Sequence, residues 1–319
     1  MSAPLHSPKY NPHLAALAAL AIEDWGNPKE NTDGLIPYPG GPDSILNKAL
    51  YGIDIKNGEL IGIIGMEKAR KTTFAMAICH SIMMGKTPIK PRIAYLTLES
   101  GQPPSRIRDL FISMCATDTL IKSGYLLEAT LSPEYLRYKD RTPIQQRAIT
   151  KALQEIIPWP LYVYGPHKDQ GNTRNPGAIK AIMEYEASQG CRLIILDHAQ
   201  QVEVEGSSSM QQLYAVVGLF AGATVTHGMA GILISQVSLG SVRGSKEGVE
   251  RLRAVGGKRL DEEANAVFIT TSGATPDKLI ITLVASRRAP PFGVKVTLNP
   301  SSGLFIGEQE KCNEFLYSG

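Results

Sequence analysis

The chain has 319 residues, of which 43% are hydrophobic and 20% are charged, so it can bury a core and is not a disordered segment. Its formal net charge of +3 excludes a globally basic nucleic-acid-binding protein and leaves only local basic patches as candidate contacts. The four cysteines form no C-x-x-C pair, and the longest apolar run, Leu14–Ile22, is too short to span a bilayer. These features predict a soluble, cytoplasmic protein.

The first 44 residues predict an amphipathic helix and a linker, set apart from a domain at 45–319. An Asn-Pro pair at 11–12 can begin a helix, and apolar side chains then recur at helical spacing over Leu14–Trp25. Residues 27–42 are rich in Pro, Gly and Asn, which is typical of a linker. The helix can pack on its own domain or on a neighbouring subunit, and the sequence leaves both open.

From about residue 59, short apolar runs alternate with helical segments, a pattern typical of parallel strands joined by right-handed crossovers. The predicted strands are Leu60–Gly65, Arg92–Leu98, Pro160–Tyr164, Arg192–Asp197 and Gly231–Ser235. The predicted helices are Thr72–Met84, Pro104–Cys115, Ala178–Ser188 and Met210–Thr226. Apolar runs joined by short turns then predict antiparallel strands at Ala264–Thr271, Lys278–Ala285 and Gly293–Leu298.

The predicted fold class is therefore α/β, with a mostly parallel sheet, helices on both faces and a C-terminal antiparallel extension. Residues 117–158 interrupt the alternation and are predicted to be an inserted segment that is mostly helical or irregular.

The segment after the first predicted strand has the parts of a phosphate-binding loop. There, backbone N–H groups and a helix N-terminus surround phosphates, a lysine contacts the terminal phosphates and a hydroxyl binds Mg²⁺. The pattern is G-x-x-x-x-G-K-[ST], and its second glycine is replaced by Arg70, which conflicts with a tightly wrapped backbone. The predicted nucleotide-binding residues are Gly65, Lys68, Ala69, Arg70, Lys71, Thr72 and Thr73.

Three further predicted strands lead into polar side chains: Glu99, Asp197 and Gln236. Ligands of open α/β folds bind at the carboxyl ends of the strands, so these side chains are expected beside the loop. Asp197 and Thr72 are the predicted metal-binding pair, and Glu99 is placed to orient and deprotonate an attacking water. Gln236 can hydrogen-bond a γ-phosphate. Taken singly, each is equally typical of a helix cap or a strand terminus.

The chain resembles the RecA-like ATPase core of the DnaB-type hexameric replicative helicases. The resemblance covers about residues 45–307 and rests on Gly65–Thr72, Tyr95–Glu99, Leu193–Gln200, Leu233–Gln236, Asp261–Asn265 and Ala285–Gly293. It implies a P-loop NTPase that uses ATP and Mg²⁺, with Glu99 as the catalytic glutamate and Gln236 as the sensor. The family's Asp-Tyr-x-Gln box matches Asp197 and Gln200, with His198 in place of the tyrosine.

The resemblance also implies contacts between subunits. Arg288 matches the arginine that the family directs to the ATP of the adjacent subunit. Ser286 stands where the family has a lysine, and Arg287 is the nearest cation that could replace it. A homohexameric ring is implied, with the Leu14–Trp25 helix on the neighbouring subunit. Residues 1–40 leave no room for the family's additional N-terminal domain, which docks a primase.

Two loops would face the channel of such a ring, Glu203–Gln212 and Ser238–Arg259. The second is basic, contains no aromatic residue and suits contact with the phosphates of single-stranded DNA. A solvated loop without a nucleic-acid partner is the other interpretation. The predicted DNA-binding residues are Arg243, Lys246, Arg251, Arg253, Lys258 and Arg259.

Two hypotheses of function follow. The first is an ATP-hydrolysing ring motor on single-stranded DNA, a helicase or translocase in DNA replication, favoured by Glu99, Asp197, Gln236 and Arg288. The second is a slow or degenerate nucleotide-dependent assembly or loading protein without helicase activity, favoured by Arg70 and Ser286. A recombination or signalling ATPase of the same fold is a third, weaker alternative.

Overall fold

The computed structural model describes residues 35–36, 38–39, 44–50, 52–54, 58–84, 91–99, 101–137, 140–165, 174–204, 209–237 and 259–312. All of them belong to one unit that begins at Leu35. Within these residues, no helix is both long and apolar enough to cross a membrane. The predicted helix Leu14–Trp25 lies outside the described residues, as do five predicted DNA-binding residues: Arg243, Lys246, Arg251, Arg253 and Lys258.

The described strands are β1 (Leu35–Ile36), β2 (Ile53–Asp54), β3 (Leu60–Met66), β4 (Arg92–Thr97), β5 (Leu161–Tyr164), β6 (Cys191–Asp197), β7 (Ala230–Val237), β8 (Ala266–Ser272), β9 (Lys278–Ser286), β10 (Phe292–Leu298) and β11 (Phe305–Cys312). Nine of them form one sheet in the order β11-β10-β9-β8-β3-β7-β6-β4-β5. The remaining two, β1 and β2, form a separate antiparallel pair.

The direction of the strands divides the large sheet into two parts. From β8 through β3, β7, β6 and β4 to β5, every pair is parallel. From β8 to β11, every pair is antiparallel. This topology confirms the predicted mostly parallel sheet with a C-terminal antiparallel extension. Because β3, β4, β6 and β7 run the same way, their carboxyl ends meet at one edge.

The helices in the described part of the chain are α1 (Ile45–Leu50), α2 (Lys71–Met84), α3 (Pro104–Lys122), α4 (Pro143–Ile156), α5 (Pro176–Ser188) and α6 (Ser209–His227). They cover both faces of the sheet, as predicted. Side chains of α2, α3 and α4, including Phe74 and Phe111, are buried in the core on one face. Ile179 of α5 and Phe220 of α6 are buried in the core on the other face.

Several elements differ from the prediction, and the short elements β1, β2 and α1 were not predicted. Helix α3 does not end at Cys115 but continues to Lys122, because Ala116 and Leu120 extend its buried apolar stripe. Strand β11 was not predicted from the sequence at all. The segment 117–158 therefore contains the end of α3, irregular chain with short 3₁₀ turns, and α4. Helix α4 begins with a capping box between Thr142 and Gln145.

A buried histidine lies between α2 and α3. His80 is 9% exposed, and its Nε2 lies 3.7 Å from Oδ2 of Asp118, beyond hydrogen-bond reach. That oxygen instead accepts a 2.6 Å hydrogen bond from Nζ of Lys122. Burial lowers the pKa of His80 from 6.5 to about 4, while the Asp118 charge acts in the opposite direction and the Lys122 charge adds to the lowering. His80 is therefore neutral in the folded protein at neutral pH.

We expect His80 to destabilise the fold as the pH falls. Between pH 6.5 and about pH 4 the unfolded chain binds a proton at His80 that the folded chain does not, so the free energy of unfolding decreases across this window. The full effect is on the order of 3 kcal/mol. Urea denaturation near pH 7 and near pH 4.5 should show a larger loss for the wild type than for His80→Gln, which does not titrate. Equal losses would contradict this account.

Candidate nucleotide-binding site

A cleft of about 850 Å³ lies at the carboxyl ends of β3, β4, β6 and β7. Its wall is formed by the loop between β3 and α2, by the residues after β4, and by the ends of β6 and β7. The β8–β9 turn and residues 301–303 close it on the other side. Nine of the predicted site residues line it: Lys68, Ala69, Arg70, Lys71, Thr72, Thr73, Glu99, Asp197 and Gln236.

The loop between β3 and α2 accommodates an arginine where the P-loop pattern has glycine. Arg70 has a φ of 61°, in the left-handed region that glycine adopts without strain, and Lys68 has a φ of 62°. For a residue with a side chain, this conformation costs roughly 1–2 kcal/mol. The guanidinium of Arg70 turns across the cleft and donates a 3.2 Å hydrogen bond to the carbonyl of Pro276 in the β8–β9 turn. The backbone therefore keeps the glycine conformation despite the substitution.

Gly65 does not line the cleft, and its role is in the packing of β3. A Cβ at this position would lie 2.8 Å from both the carbonyl oxygen and Oγ1 of Thr270 on β8. Glycine is therefore required for β3 to pack beside β8, immediately before the loop begins.

Lys71, the first residue of α2, places its ammonium inside the loop. Its Nζ donates a 2.6 Å hydrogen bond to the carbonyl of Met66, and the residue is buried. Burial lowers the pKa of Lys71, and the nearby charges of Asp197, Glu99 and Glu67 partly oppose this. The loop therefore holds a partly dehydrated cation beside the N-terminus of a helix, an arrangement that suits an anion.

Thr72 and Asp197 meet at the base of the cleft. The Thr72 hydroxyl donates a 2.6 Å hydrogen bond to Oδ2 of Asp197, and the phenol of Tyr95 donates a 2.7 Å hydrogen bond to the same oxygen. A hydroxyl and a carboxylate are hard oxygen donors, which is what Mg²⁺ prefers. Among the described residues there is no cluster of three or more metal-ligating side chains. The pair fits a Mg²⁺ ion that takes its other ligands from phosphates and water.

Glu99 follows β4 and lines the cleft. Its Oε2 accepts a hydrogen bond from Nε2 of Gln102, so the carboxylate is held in place by the segment that leads into α3. Gln102 was not predicted as a site residue, because a glutamine in a turn carries no distinctive sequence signal.

Gln236 is tied to the end of β6 through Gln200. Oε1 of Gln200 accepts a 2.9 Å hydrogen bond from the backbone N–H of Gln236 and lies 3.1 Å from Nδ1 of His198. Nε2 of Gln200 donates a 2.7 Å hydrogen bond to Oγ of Ser235. This one amide therefore links the strand end that carries Asp197 to the strand end that carries Gln236.

Arg288 lies outside this cleft and is bound within its own chain. Its Nη2 forms an ion pair with Glu59, and its Nη1 donates 3.0 Å hydrogen bonds to the carbonyls of Leu50 and Gly52. The Glu59 side chain is only 4% exposed. Burial raises the pKa of Glu59, whereas the hydrogen bond from Asp54 N and the Arg288 charge oppose that rise. The sequence did not predict this ion pair.

Arg259 is the one predicted DNA-binding residue within the described part of the chain. Its Nε lies 3.7 Å from Oε1 of Glu263, with both side chains well exposed. Its guanidinium lies over Gly218 of α6, where an added Cβ would be 2.8 Å from Nη2.

No protein-family model and no curated protein matches the sequence. Solved structures do match the fold. The ATPase domain of G40P superposes with a TM-score of 0.64 at 13% identity, covering 94% of this chain and 99% of that one. A DnaB-like replicative helicase, solved in a study of its interactions with primase, superposes with a TM-score of 0.68 at 15% identity, covering 91% of this chain and 67% of that one.

At these identities the comparisons concern the fold alone. They confirm the predicted RecA-like α/β architecture and its resemblance to DnaB-type helicase domains.

The contact with the buried carboxylate of Glu59 predicts that Arg288 stabilises the fold. Arg288→Ala leaves Glu59 buried without its cation, and removing the partner of a buried polar group costs about 1–3 kcal/mol. Urea denaturation of Arg288→Ala should therefore show a marked loss in the free energy of unfolding.

Arg287→Ala is the matched control, since Arg287 is the neighbouring arginine and its guanidinium donates a long, 3.5 Å hydrogen bond to the carbonyl of Glu262 instead of pairing with a buried carboxylate. Its loss should stay within about 0.5 kcal/mol. Equal stabilities of the two variants would show that the Glu59–Arg288 pair is not formed in solution.

Proposed function

We propose that this protein binds ATP with Mg²⁺ in the cleft and hydrolyses it, and that it works as a ring-forming motor on single-stranded DNA, as a DnaB-like helicase or translocase. The observation that carries the proposal is the convergence of Lys71, Thr72, Glu99, Asp197 and Gln236 on one cleft. They come from three strand ends and one helix start, so their meeting is a property of the fold and not of one local motif.

ATP would bind with its triphosphate in the loop between β3 and α2. Backbone N–H groups at the start of α2 would contact the phosphate oxygens, and Nζ of Lys71 would exchange the Met66 carbonyl for the terminal phosphates. Thr72 and Asp197 would hold Mg²⁺, which when bound neutralises negative charge on the phosphates. Because the Thr72 hydroxyl donates its proton to Asp197, its oxygen keeps lone pairs that could bind the metal.

Hydrolysis would depend mainly on positioning. Glu99, held by Gln102, would orient the attacking water and accept its proton. Gln236 would contact the γ-phosphate. When that phosphate is lost, a shift of Gln236 would be transmitted to the end of β6 through its hydrogen bond to Gln200. The predicted DNA-binding loop follows Gln236 in the sequence. The same strand, β7, would therefore couple the presence of the γ-phosphate to the contact between this loop and DNA.

The ring and the DNA are the parts of the proposal that the resemblance supports. A homohexamer would place the Leu14–Trp25 helix on the neighbouring subunit and the basic residues of 238–259 in the channel. Arg288 would act on the ATP of the adjacent subunit only after its guanidinium leaves Glu59. The neighbouring Arg287 is exposed, and it could contact that ATP without first leaving an ion pair with Glu59.

A second candidate is a slow, nucleotide-dependent assembly or loading protein without helicase activity. Three observations favour it: Arg70 in place of the loop glycine, Ser286 in place of the family's lysine, and the Arg288 guanidinium bound within its own chain. This alternative keeps nucleotide binding and ring assembly but not DNA-stimulated hydrolysis.

Two single variants should distinguish the residue required for hydrolysis of ATP from the residue required for its binding. Glu99→Gln keeps the size of the side chain but removes the base, so it should bind a labelled ATP analogue normally and lose about 100-fold or more in turnover. Lys71→Ala removes the cation from the loop and should abolish binding. Fluorescence titration measures the binding of the ATP analogue. Phosphate release, with and without single-stranded DNA, measures turnover.

The same assay discriminates the two candidates. The motor requires wild-type hydrolysis to rise with single-stranded DNA, in a protein whose measured mass is that of a ring. A nucleotide-bound ring whose slow hydrolysis ignores DNA would favour the assembly protein. Normal binding by Lys71→Ala would refute the nucleotide site itself.

A further inference from the structure

A tyrosine hydroxyl reaches the metal-binding pair from inside the sheet. Tyr95 lies in the middle of β4 and is fully buried. In the parallel register of β4 and β6, Thr97 is opposite Asp197, and Tyr95 is two residues before Thr97. Residues two apart on a strand point to the same face, so the phenol lies diagonally beneath Asp197.

The hydroxyl completes the hydrogen bonding of one carboxylate oxygen. Oδ2 of Asp197 accepts from Tyr95 Oη at 2.7 Å and from Thr72 Oγ1 at 2.6 Å. Asp197 is only 2% exposed, so water cannot readily replace either donor.

We propose that Tyr95 is a positioning residue for the Asp197 carboxylate: its hydroxyl fixes Oδ2 and so holds Asp197 in the orientation that receives the Mg²⁺ of a bound nucleotide. This inference rests on the proposed function. Tyr95 itself does not line the cleft and touches no substrate. Its effect is confined to the angle and mobility of the carboxylate, as for other groups that orient metal ligands.

The test compares two conservative variants that each remove one phenol hydroxyl. Tyr95→Phe keeps the ring and its packing, and of the two hydroxyls that donate to Oδ2 it leaves that of Thr72. Tyr164→Phe is the matched control, because the Tyr164 hydroxyl also donates to a buried carboxylate, that of Glu186, at a position outside the cleft. Thermal unfolding and circular dichroism establish that both variants are folded.

The readout is the affinity for a fluorescent ATP analogue, titrated without Mg²⁺ and then over a series of Mg²⁺ concentrations. Tyr95→Phe should bind the metal-free analogue as the wild type does. It should need about tenfold or more Mg²⁺ to reach half of the metal-dependent gain in affinity, because loss of a group that orients a metal ligand lowers metal affinity by that factor. Tyr164→Phe should match the wild type in both titrations.

Asp197→Asn provides an internal check. If Tyr95 acts through this carboxylate, adding Tyr95→Phe to Asp197→Asn should change the Mg²⁺ requirement no further. An equal effect of Tyr95→Phe in both backgrounds would overturn the proposal.

Two other results would also overturn it. One is an unchanged Mg²⁺ requirement in folded Tyr95→Phe. The other is unfolding of Tyr95→Phe where Tyr164→Phe stays folded, since the hydroxyl would then serve folding. If the wild type binds no nucleotide at all, the proposed function fails, and this inference fails with it.

Discussion

The hydrogen bond from Thr72 to Asp197 joins two segments that are 125 residues apart in the chain, and the cleft depends on the parallel sheet that brings them together. Thr72 begins the helix after the loop, and Asp197 ends a buried strand. They meet because β3 and β6 flank β7 in a parallel sheet, so that all three strands deliver their ends to one edge. The large apolar cores on both faces hold that edge, while the polar groups at it remain available for a ligand.

Much of this arrangement could be predicted from the sequence. Strand–helix alternation predicts the parallel sheet, and polar residues after Arg92–Leu98, Arg192–Asp197 and Gly231–Ser235 predict which side chains meet. Strand β11 could not be predicted, because Gly307, Glu308 and Gln309 interrupt any apolar pattern in an edge strand. The Glu59–Arg288 pair and the Tyr95–Asp197 hydrogen bond were also missed, since each joins residues that only the tertiary fold brings together.

Arg70 shows how a local rule can be broken without losing the structure it serves. The glycine of the pattern is required for a left-handed backbone, and Arg70 adopts that backbone with φ at 61°. The strain is modest beside the packing of β3 and α2 on either side of the loop. The side chain then lies across the cleft toward Pro276, where glycine would leave space. The substitution therefore alters what the cleft presents to a ligand more than it alters the loop.

The central claim is that this cleft is the site of a Mg²⁺-bound nucleoside triphosphate, and an experimental structure with Mg²⁺ and a non-hydrolysable ATP analogue tests it most directly. The account predicts the triphosphate within residues 66–72, with Nζ of Lys71 moved from the Met66 carbonyl to a phosphate oxygen and Asp197 facing the metal. A triphosphate bound elsewhere, or a Lys71 that stays on Met66 with the analogue present, would contradict it.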